Sequence, residues 1–365
     1  MSSNNYLFEN NKILVEKITS IKQDALKRKI RYEEEQLNRP ISYWIKNERL
    51  RDEIGKEFTI ILRSKGCSWA LSDNGGCSMC GYYLDAVAGN VSTNQLINQF
   101  DTVYNDKMNE INQDSYNYVL KIFNSGSFLD DNEISKEVRN YIYKKISNID
   151  KIKEIVVESR IEYITSEKLE EIREFFDKKY FEIAIGLETV DDYIRNNYIN
   201  KGVLLKDFKL ALKKCKEYGI GVKVYLLLKP PFLNEQAAID DCSNSIRTLI
   251  NLGVNSLSIN PMNIQRGTLV EYLWFQNRYR PPWFYSLFKC LKKSLTQENL
   301  ESVRVLCDPS GASTKRGIHN CLKKECEIAS IETLKSFVLS QNLKDLEQIS
   351  FCECKKKYQL QKNFY

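Results

Sequence analysis

The sequence lacks several features, and each absence excludes a class of protein. Its 365 residues include a single histidine, so a metal site built from several histidines and a proton relay between two imidazoles are both excluded. No stretch reaches the ~18 consecutive apolar residues that a membrane-spanning helix needs. The first residues, MSSNNYLFENNKILVEK, lack the basic and then apolar layout of a signal peptide. We therefore expect a soluble, cytoplasmic protein with no membrane partner.

Charge and cysteine content further limit the possible partners and the groups available for catalysis. The 54 Lys and Arg exceed the 48 Asp and Glu by 6, a mild basic excess that suits an anionic partner without establishing one. The 11 cysteines are odd in number and stand in a long chain without an export signal, so disulfides are not their expected use. Catalysis would have to depend on cysteine, carboxylates, lysine, tyrosine or a cofactor.

An alternation of short β-rich runs with longer amphipathic stretches begins at Phe58. This alternation is typical of βα units around a parallel sheet. It predicts an α/β protein built as a six-stranded partial (β/α) barrel, with function at the carboxyl ends of the strands. A doubly wound open sheet is the alternative, because periodicity does not report closure. The predicted strands are 58–63, 118–123, 152–158, 181–187, 222–228 and 255–259.

The segments before and after these strands differ from them in composition. Residues 1–57 are polar and charged, with helical spacing at Ile13, Leu14, Ile18 and Ile21. The sequence therefore predicts three parts: an N-terminal helical extension at 1–57, the barrel at 58–300, and a cysteine-containing C-terminal extension at 301–365.

Three cysteines directly follow the first predicted strand, in KGCSWALSDNGGCSMCGYY. Cys67, Cys77 and Cys80 have the spacing C-x9-C-x2-C, and no fourth cysteine follows for more than a hundred residues. A zinc site would usually want a fourth ligand close by. Three thiolates on a 4Fe-4S cubane instead leave one iron open, and that iron can bind S-adenosylmethionine. A zinc knuckle or three unrelated cysteines are the alternatives.

This loop resembles the cluster loop of the radical S-adenosylmethionine (radical SAM) superfamily, in the branch with a wide first gap. The resemblance implies a partial TIM-like barrel of the radical SAM type. It places Met79 against the adenine of S-adenosylmethionine and the edge at Ser125, Gly126 and Ser127 against its ammonium group. Without the cysteines, that second strand end would be an ordinary βα turn.

Polar residues also follow the other predicted strands. Glu158 and Arg160 end the third strand, where a carboxylate can hold ribose hydroxyls and a guanidinium can hold a carboxylate. A capping ion pair is the alternative for either residue. Glu188 is the candidate inward acid of the fourth strand, and Lys229, before two prolines, is expected to point toward the barrel mouth. The amides and arginine after the sixth strand suit hydrogen bonding to a nucleobase or an amino-acid-like substrate: Asn260, Asn263, Gln265 and Arg266.

Longer motifs narrow the resemblance to one family. The motifs are RPISYWIKNERL, IFNSGSFLDD, ESRIEYIT, LLLKPPFLNE, NPMNIQRGTLVEYLW and YRPPWFYSLF. With the cysteine loop they resemble the archaeosine synthase radical SAM subunit (RaSEA) family over roughly residues 39–355, although Ile161 stands where proline is expected.

The resemblance implies a substrate and partners. The substrate is tRNA carrying a lysine-modified 7-deazaguanine at position 15, whose carbon–nitrogen bond is split to give archaeosine. The implied partners are a lysine transferase subunit and an electron donor such as ferredoxin or flavodoxin. A radical SAM enzyme acting on a small metabolite or peptide is an alternative, and a non-catalytic iron–sulfur RNA-binding protein is another.

Two further groups of residues, one aromatic and basic and one of cysteines, are candidates for binding a partner or a metal. Aromatic and basic residues interleave after the sixth strand and are expected either to stack on bases or to pack in the core: Trp274, Arg278, Tyr279, Arg280 and Trp283. In the tail, Cys321, Cys326, Cys352 and Cys354 can supply four thiolates to zinc or to a second iron–sulfur cluster, or remain unligated.

Overall fold

The computed structural model describes residues 11–27, 32–87, 89–347 and 352–364. One eight-stranded sheet organises the chain, and its strands neighbour one another in the order of the sequence. The strands are β1 (Ser42–Arg49), β2 (Ile54–Ile61), β3 (Tyr118–Phe123), β4 (Ile152–Glu158), β5 (Tyr180–Glu188), β6 (Gly221–Leu228), β7 (Ser256–Pro261) and β8 (Arg304–Leu306).

Helices connect the strands and precede and follow the sheet. They are α1 (Lys12–Leu26), α2 (Glu34–Leu37), α3 (Ser68–Leu71), α4 (Thr93–Gln113), α5 (Lys136–Ser147), α6 (Ser166–Phe175), α7 (Asp192–Asn197), α8 (Leu205–Glu217), α9 (Glu235–Asn251), α10 (Leu269–Phe275), α11 (Phe284–Ser294), α12 (Gln297–Ser302), α13 (Lys324–Ser340) and α14 (Cys354–Gln361). No helix within the described ranges combines the length and apolar character needed to cross a bilayer.

The six predicted strands correspond to β2 through β7, which pair in parallel. Their residues are mostly buried on both faces, as expected for parallel strands covered by helices. Parallel pairing needs a crossover between successive strands, and the amphipathic stretches supply it as α4, α5, α6, α8 and α9. The predicted α/β architecture is therefore confirmed.

The sheet curls into a partial barrel rather than lying flat. Arg304 on β8 donates to Glu154 on β4 at 2.7 Å and to Glu182 on β5 at 3.0 Å. These partners lie three and four strands away, a reach that a flat sheet with ~4.8 Å strand spacing would not allow. Within the described chain, β1 and β8 do not pair with each other, so the barrel stays open at that edge.

Two strands were not predicted. Residues 1–57 were expected to be helical, and α1 and α2 are helices, but β1 pairs antiparallel with β2. The reason is that Tyr43, Trp44 and Ile45 favour strand geometry and complete one edge of the sheet. The three-residue β8 adds the other edge. Residues 1–10 of the predicted extension lie outside the described residues.

A layer of charged side chains fills the barrel interior at the opposite end from the strand carboxyl termini. Its members carry charges of both signs and come from seven of the strands: Glu48, Glu57, Lys121, Glu154, Glu182, Lys223 and Arg304. Burial, with Lys121 nearby, lowers the pKa of Lys223 to about 8. The layer lies inside the barrel, whereas the main hydrophobic core lies between the sheet and the helices that cover it.

Candidate functional site

A cavity of about 390 Å³ lies at the carboxyl ends of the barrel strands. The cysteine loop, the ends of the six parallel strands β2 to β7 and the segment after β8 supply its wall. Twelve of the predicted site residues line it: Cys67, Met79, Cys77, Cys80, Ser125, Gly126, Glu158, Arg160, Glu188, Asn260, Asn263 and Gln265. Side chains from β3, β4, β5 and β7 converge here because parallel strands deliver their carboxyl ends to one mouth.

The cysteine loop is held against the β5–α8 connection by hydrogen bonds to its backbone. Ser78 donates from its amide to Ile199 O at 2.8 Å and from its hydroxyl to Tyr198 O at 2.7 Å. The Asn200 amide donates to Gly76 O at 2.9 Å. Gly75 and Gly76 have φ of +72° and +67°, a region that side chains strongly disfavour. The loop therefore aims three cysteines at the cavity with little freedom.

Lys22 of α1 faces these three cysteines. Its Nζ is buried and has no hydrogen-bond partner among the described residues. Burial lowers its pKa, and the thiolate charges of Cys80, Cys77 and Cys67 act in the opposite direction. A buried ammonium without a partner is costly unless an anionic group stands beside it. A cluster held by three thiolates is such a group, so the residues fit a three-cysteine iron–sulfur cluster.

The thiols themselves are well shielded. Burial, with the neighbouring Cys77 and Cys67, raises the pKa of Cys80 to about 12, and burial also raises the pKa of Cys67. Among the described residues, the three thiols are not gathered closely enough to form a single-ion site.

The end of β3 is built around Glu133. Its carboxylate accepts from the Ser127 amide at 2.9 Å and from the Asn124 side chain at 2.8 Å. Burial raises the pKa of Glu133 to about 8. The sequence pattern did not predict a role for Glu133, because the only indication of one was an acidic residue within the turn after β3.

Ser127 differs from its predicted role. It is fully buried behind the cavity wall, where its hydroxyl accepts from the Arg160 amide at 3.1 Å. It does not line the cavity, because its side chain ties the end of β3 to the end of β4.

The ends of β4 and β5 place opposite charges side by side. Lys201 donates to Glu188 at 2.9 Å, and Arg160 Nη1 donates to Lys201 O at 3.1 Å with its guanidinium over Trp69. Burial raises the pKa of Glu158 to about 7, with Lys201 and Lys223 opposing the rise. Glu158 is thus the acid here that lies inside the cavity without an ion-pair partner among the described residues. Lys201 was not predicted.

The amides after β7 brace the loop as well as facing the cavity. Gln265 Oε1 accepts from the Gly81 amide at 2.6 Å, and its Nε2 donates to Asn263 at 3.4 Å. Asn260 accepts from Ser258 at 3.1 Å. Arg266 is exposed and does not line the cavity, so its predicted substrate contact would have to be made outside it.

Lys229 was expected at the barrel mouth, and this prediction is wrong. Only 1% of its surface is exposed, and its Nζ donates to Glu235 at 2.6 Å and to Arg280 O at 2.9 Å. With φ of +68°, its backbone turns away from the strand direction. The side chain therefore points into the packing against α9 and is already paired.

The aromatic and basic group after β7 is divided by the structure. Tyr279 and Trp283 are buried, and Arg280 lies 3.7 Å over the Trp283 ring while donating to three backbone carbonyls. These three belong to the core beneath the C-terminal tail. Trp274 is half-buried and Arg278 is exposed, so only these two remain available for a partner.

The four tail cysteines form a separate group away from the cavity. The sulfur atoms of Cys321, Cys326, Cys352 and Cys354 all lie within 4.8 Å of one another. Cys215, Cys242 and Cys290 are buried in the core, as small apolar residues would be.

No protein-family model matches the chain. Curated proteins do match it along most of its length. The archaeosine synthase subunit beta of Methanosarcina acetivorans is 36% identical over 332 residues, which span 90% of this chain and 92% of that protein. The protein of the same name from Thermococcus kodakarensis is 34% identical over 87% of this chain and 95% of its own length. The chain belongs to the archaeosine synthase subunit beta family.

An uncharacterized protein of Methanocaldococcus jannaschii, MJ0550, is 40% identical over 87% of this chain and 85% of its own length. Among solved structures, the chain is similar to Elp3 of Methanocaldococcus infernus, with a TM-score of 0.46 at 13% identity over 67% of this chain and 59% of that chain. It is also similar to the radical S-adenosylmethionine methyltransferase TsrM of Kitasatospora setae, with a TM-score of 0.39 at 12% identity over 62% and 40%.

Membership of the archaeosine synthase subunit beta family confirms the archaeosine synthase family predicted from the motifs, and confirms that the chain is an enzyme.

Proposed function

We propose that the chain is the radical SAM subunit that completes archaeosine in tRNA. One observation carries the proposal: in a chain of the archaeosine synthase subunit beta family, the three loop cysteines and the polar ends of four strands line a single cavity. An ordinary set of βα turns would not be expected to place a three-thiol loop and paired acidic and basic side chains around one space.

Cys67, Cys77 and Cys80 would hold a 4Fe-4S cluster, with Lys22 offsetting its negative charge. When bound with S-adenosylmethionine, such a cluster supplies a 5'-deoxyadenosyl radical. Glu158 is the acid proposed to accept from the ribose hydroxyls, and Arg160 the cation proposed to pair with the methionine carboxylate. Met79 and the backbone at Gly126 complete the pocket for the cofactor. These contacts orient the cofactor and exclude water from it.

The proposed substrate is a tRNA whose position-15 base is a 7-deazaguanine bearing lysine. The reaction would remove a hydrogen from the lysine side chain and split its carbon–nitrogen bond, leaving archaeosine. Asn260, Asn263 and Gln265 are proposed to contact the modified base, because their amides both donate and accept. Glu188 and Lys201, as a preformed ion pair, would meet the charged ends of the lysine.

A groove of about 530 Å³ supports a nucleic-acid partner. Trp274 and Phe275 on its wall can stack on bases, while Lys315 and Lys357 can meet phosphates.

The relatives' names denote one subunit of a synthase, so we also propose a partner subunit that attaches the lysine. An electron donor such as ferredoxin or flavodoxin would be required for the reduction.

The test is anaerobic reconstitution with iron and sulfide, reduction in the presence of S-adenosylmethionine, and quantification of 5'-deoxyadenosine with and without lysine-modified tRNA. We expect strong stimulation by that tRNA and the appearance of archaeosine. Cleavage that ignores tRNA would instead favour a small metabolite or peptide as substrate. A fully loaded cluster without cleavage would favour the iron–sulfur RNA-binding protein.

Two variants sharpen this experiment. Replacing Cys67, Cys77 and Cys80 by alanine should abolish both cluster formation and cleavage. Cys215→Ala is the matched control, because that thiol is buried in the core far from the cavity. Retained cleavage in the triple variant would overturn the proposal.

A further inference from the structure

The C-terminal cysteines come together from two segments that are separated in the sequence. Cys321 precedes α13 and Cys326 lies in its first turn, whereas Cys352 and Cys354 stand at the start of α14. Cys321 Sγ is 3.8 Å from Cys352 Sγ, and Cys326 Sγ is 3.8 Å from Cys354 Sγ. Across the described ranges, these four are the one set of His, Cys, Asp or Glu side chains gathered tightly enough to hold a metal ion.

These distances distinguish between a single ion and a cluster. Zinc binds thiolate at ~2.3 Å, and a tetrahedron of sulfurs at that radius has edges of about 3.8 Å. The two Sγ–Sγ distances of 3.8 Å match such an edge, and all other pairs stay within 4.8 Å. In a 4Fe-4S cluster each thiolate binds a different iron, with the inorganic core between them, so the four sulfurs would stand further apart. The spacing favours one tetrahedral ion.

Polar groups around the sulfurs suit bound thiolates. The Asn320 side-chain amide donates to Cys326 Sγ at 3.5 Å, and the Tyr285 hydroxyl lies 3.3 Å from Cys354 Sγ. Arg280 donates to the carbonyls of His319 and Asn320, both at 2.8 Å, which places its cation beside the turn that carries Cys321. Donors and a fixed cation offset the double negative charge of an ion held by four thiolates.

We propose that Cys321, Cys326, Cys352 and Cys354 bind one Zn²⁺ that fastens α14 to the barrel. Four protein ligands leave no open position on the ion, which is the arrangement of structural rather than catalytic zinc. This site is independent of the cavity and of the proposed radical chemistry.

The packing of α14 explains why a metal is needed there. The helix has eight residues, too few to be stable alone in water. Its only buried residue is Tyr358, whose ring lies 5.7 Å from Trp283 and 5.4 Å from Tyr285. Beyond it, Asn234 and Gln236 hold the last residues by hydrogen bonds to Asn363 O and Lys362 O. One buried side chain and a few hydrogen bonds fasten the helix weakly, whereas two of the four proposed metal ligands, Cys352 and Cys354, lie just before the helix and at its first residue.

The experiment uses the full-length chain with Cys67, Cys77 and Cys80 replaced by alanine, so that iron at the cavity does not interfere. We expect metal analysis of this protein, purified without added iron or sulfide, to give one zinc per chain. X-ray absorption at the zinc edge should show four sulfur ligands at ~2.3 Å. Adding Cys321→Ser and Cys352→Ser should reduce the zinc content to near zero, while adding Cys307→Ala, a buried cysteine outside the group, should leave it at one.

A second measurement does not depend on the variants folding well. Removing zinc with a chelator should make the chain susceptible to protease between α13 and α14, releasing a C-terminal peptide, and added zinc should reverse the effect. Three results would each overturn the proposal: iron and sulfide bound at the four cysteines, two disulfides by thiol counting in freshly purified protein, or zinc retained after two of the cysteines are replaced. Because the triple alanine background cannot form the cavity cluster, none of these results depends on the proposed enzymatic function.

Discussion

At the residue scale, the wall of the cavity leaves little freedom around Gly126. A Cβ placed there would lie 1.8 Å from Glu133 Oε2. That carboxylate is held by Asn124 and Ser127, so it can move only by giving up those hydrogen bonds. The glycine is therefore required by the buried Glu133 farther along the turn, and not by its own backbone angle.

Gly126→Ala is expected to destabilise the protein by about 1–3 kcal/mol, the cost of leaving buried polar groups unsatisfied. It should also weaken binding of S-adenosylmethionine, because the edge of β3 is displaced. Chemical denaturation and equilibrium binding measure the two effects. Gly89→Ala is the matched control, since no atom of the described residues beyond its chain neighbours lies within 4 Å of the new Cβ, and its effect should stay within about 0.5 kcal/mol. Equal costs for the two variants would contradict this account of Gly126.

Replacing Lys22 is expected to favour the cluster-free protein but to disfavour reduction of the bound cluster. Lys22→Met should stabilise the cluster-free protein by about 1 kcal/mol, because it removes a buried ammonium that has no hydrogen-bond partner among the described residues, only the ring of Tyr83 at 4.9 Å. With the cluster bound, the same change should lower its midpoint potential by roughly 60 mV, a tenfold change in the one-electron equilibrium. The potential falls because the cation favours the reduced and more negative state.

Thermal denaturation of the cluster-free protein and a redox titration followed by electron paramagnetic resonance measure these effects. Lys12→Met is the control, because that side chain lies on the same helix but is 82% exposed. A potential that is unchanged at equal cluster content would rule out an electrostatic role for Lys22.

At the scale of elements, β8 shows how a three-residue strand can matter. Its Arg304 is buried and reaches Glu154 on β4, Glu182 on β5 and the Ser256 hydroxyl on β7. Arg304 Nη1 also donates to Arg49 O on β1, at 3.2 Å. The open edge of the barrel is thus bridged by side chains rather than by a strand ladder: Arg304 reaches β1, and Lys46 on β1 pairs with Asp308 just after β8.

Arg304→Met should cost about 3–5 kcal/mol, because it leaves two buried carboxylates without their partner. Urea denaturation gives the free energy of unfolding. Arg247→Met removes an exposed arginine and should change that free energy by less than about 0.5 kcal/mol. A cost under 1 kcal/mol for Arg304→Met would mean that Lys223 or water compensates for the lost guanidinium.

At the scale of the whole molecule, α1 closes the cysteine loop from outside the barrel. Ile18 is 1% exposed, and its methyl group would lie 3.4 Å from a Cβ at Gly75. Asn11 donates to Asn196 O at 2.7 Å, so the helix contacts both the cysteine loop and α7. The segment therefore belongs functionally to the site although it precedes the barrel in the chain.

Ile18→Asp should detach α1, because it places a carboxylate in an apolar contact. The reconstituted cluster should then lose iron to a chelator faster, by about tenfold for each ~1.4 kcal/mol lost from the closed state. Loss of the cluster's absorbance measures the rate. Ile13→Asp is the control on the same helix, since Ile13 is 85% exposed. If both variants lose iron at the unchanged rate, α1 does not protect the site.

The sequence by itself determined the features that depend on local pattern. The six parallel strands followed from the alternation of β-rich and amphipathic runs, and the three-cysteine loop followed from spacing alone. Long motifs determined the family. Each of these signals lies within a few tens of residues, where neighbours along the chain are also neighbours in space.

Only the tertiary structure decided which distant side chains meet. It held Lys229 against the carbonyl of Arg280 instead of a ligand, buried Trp283 under the tail, and brought Lys22 to the cysteines. It also placed four tail sulfurs at distances that favour one ion over a cluster, a choice that the spacing of the cysteines left open. The physical reason is that side-chain direction and distance between remote residues are set by the packing of the whole chain, and no local period encodes them.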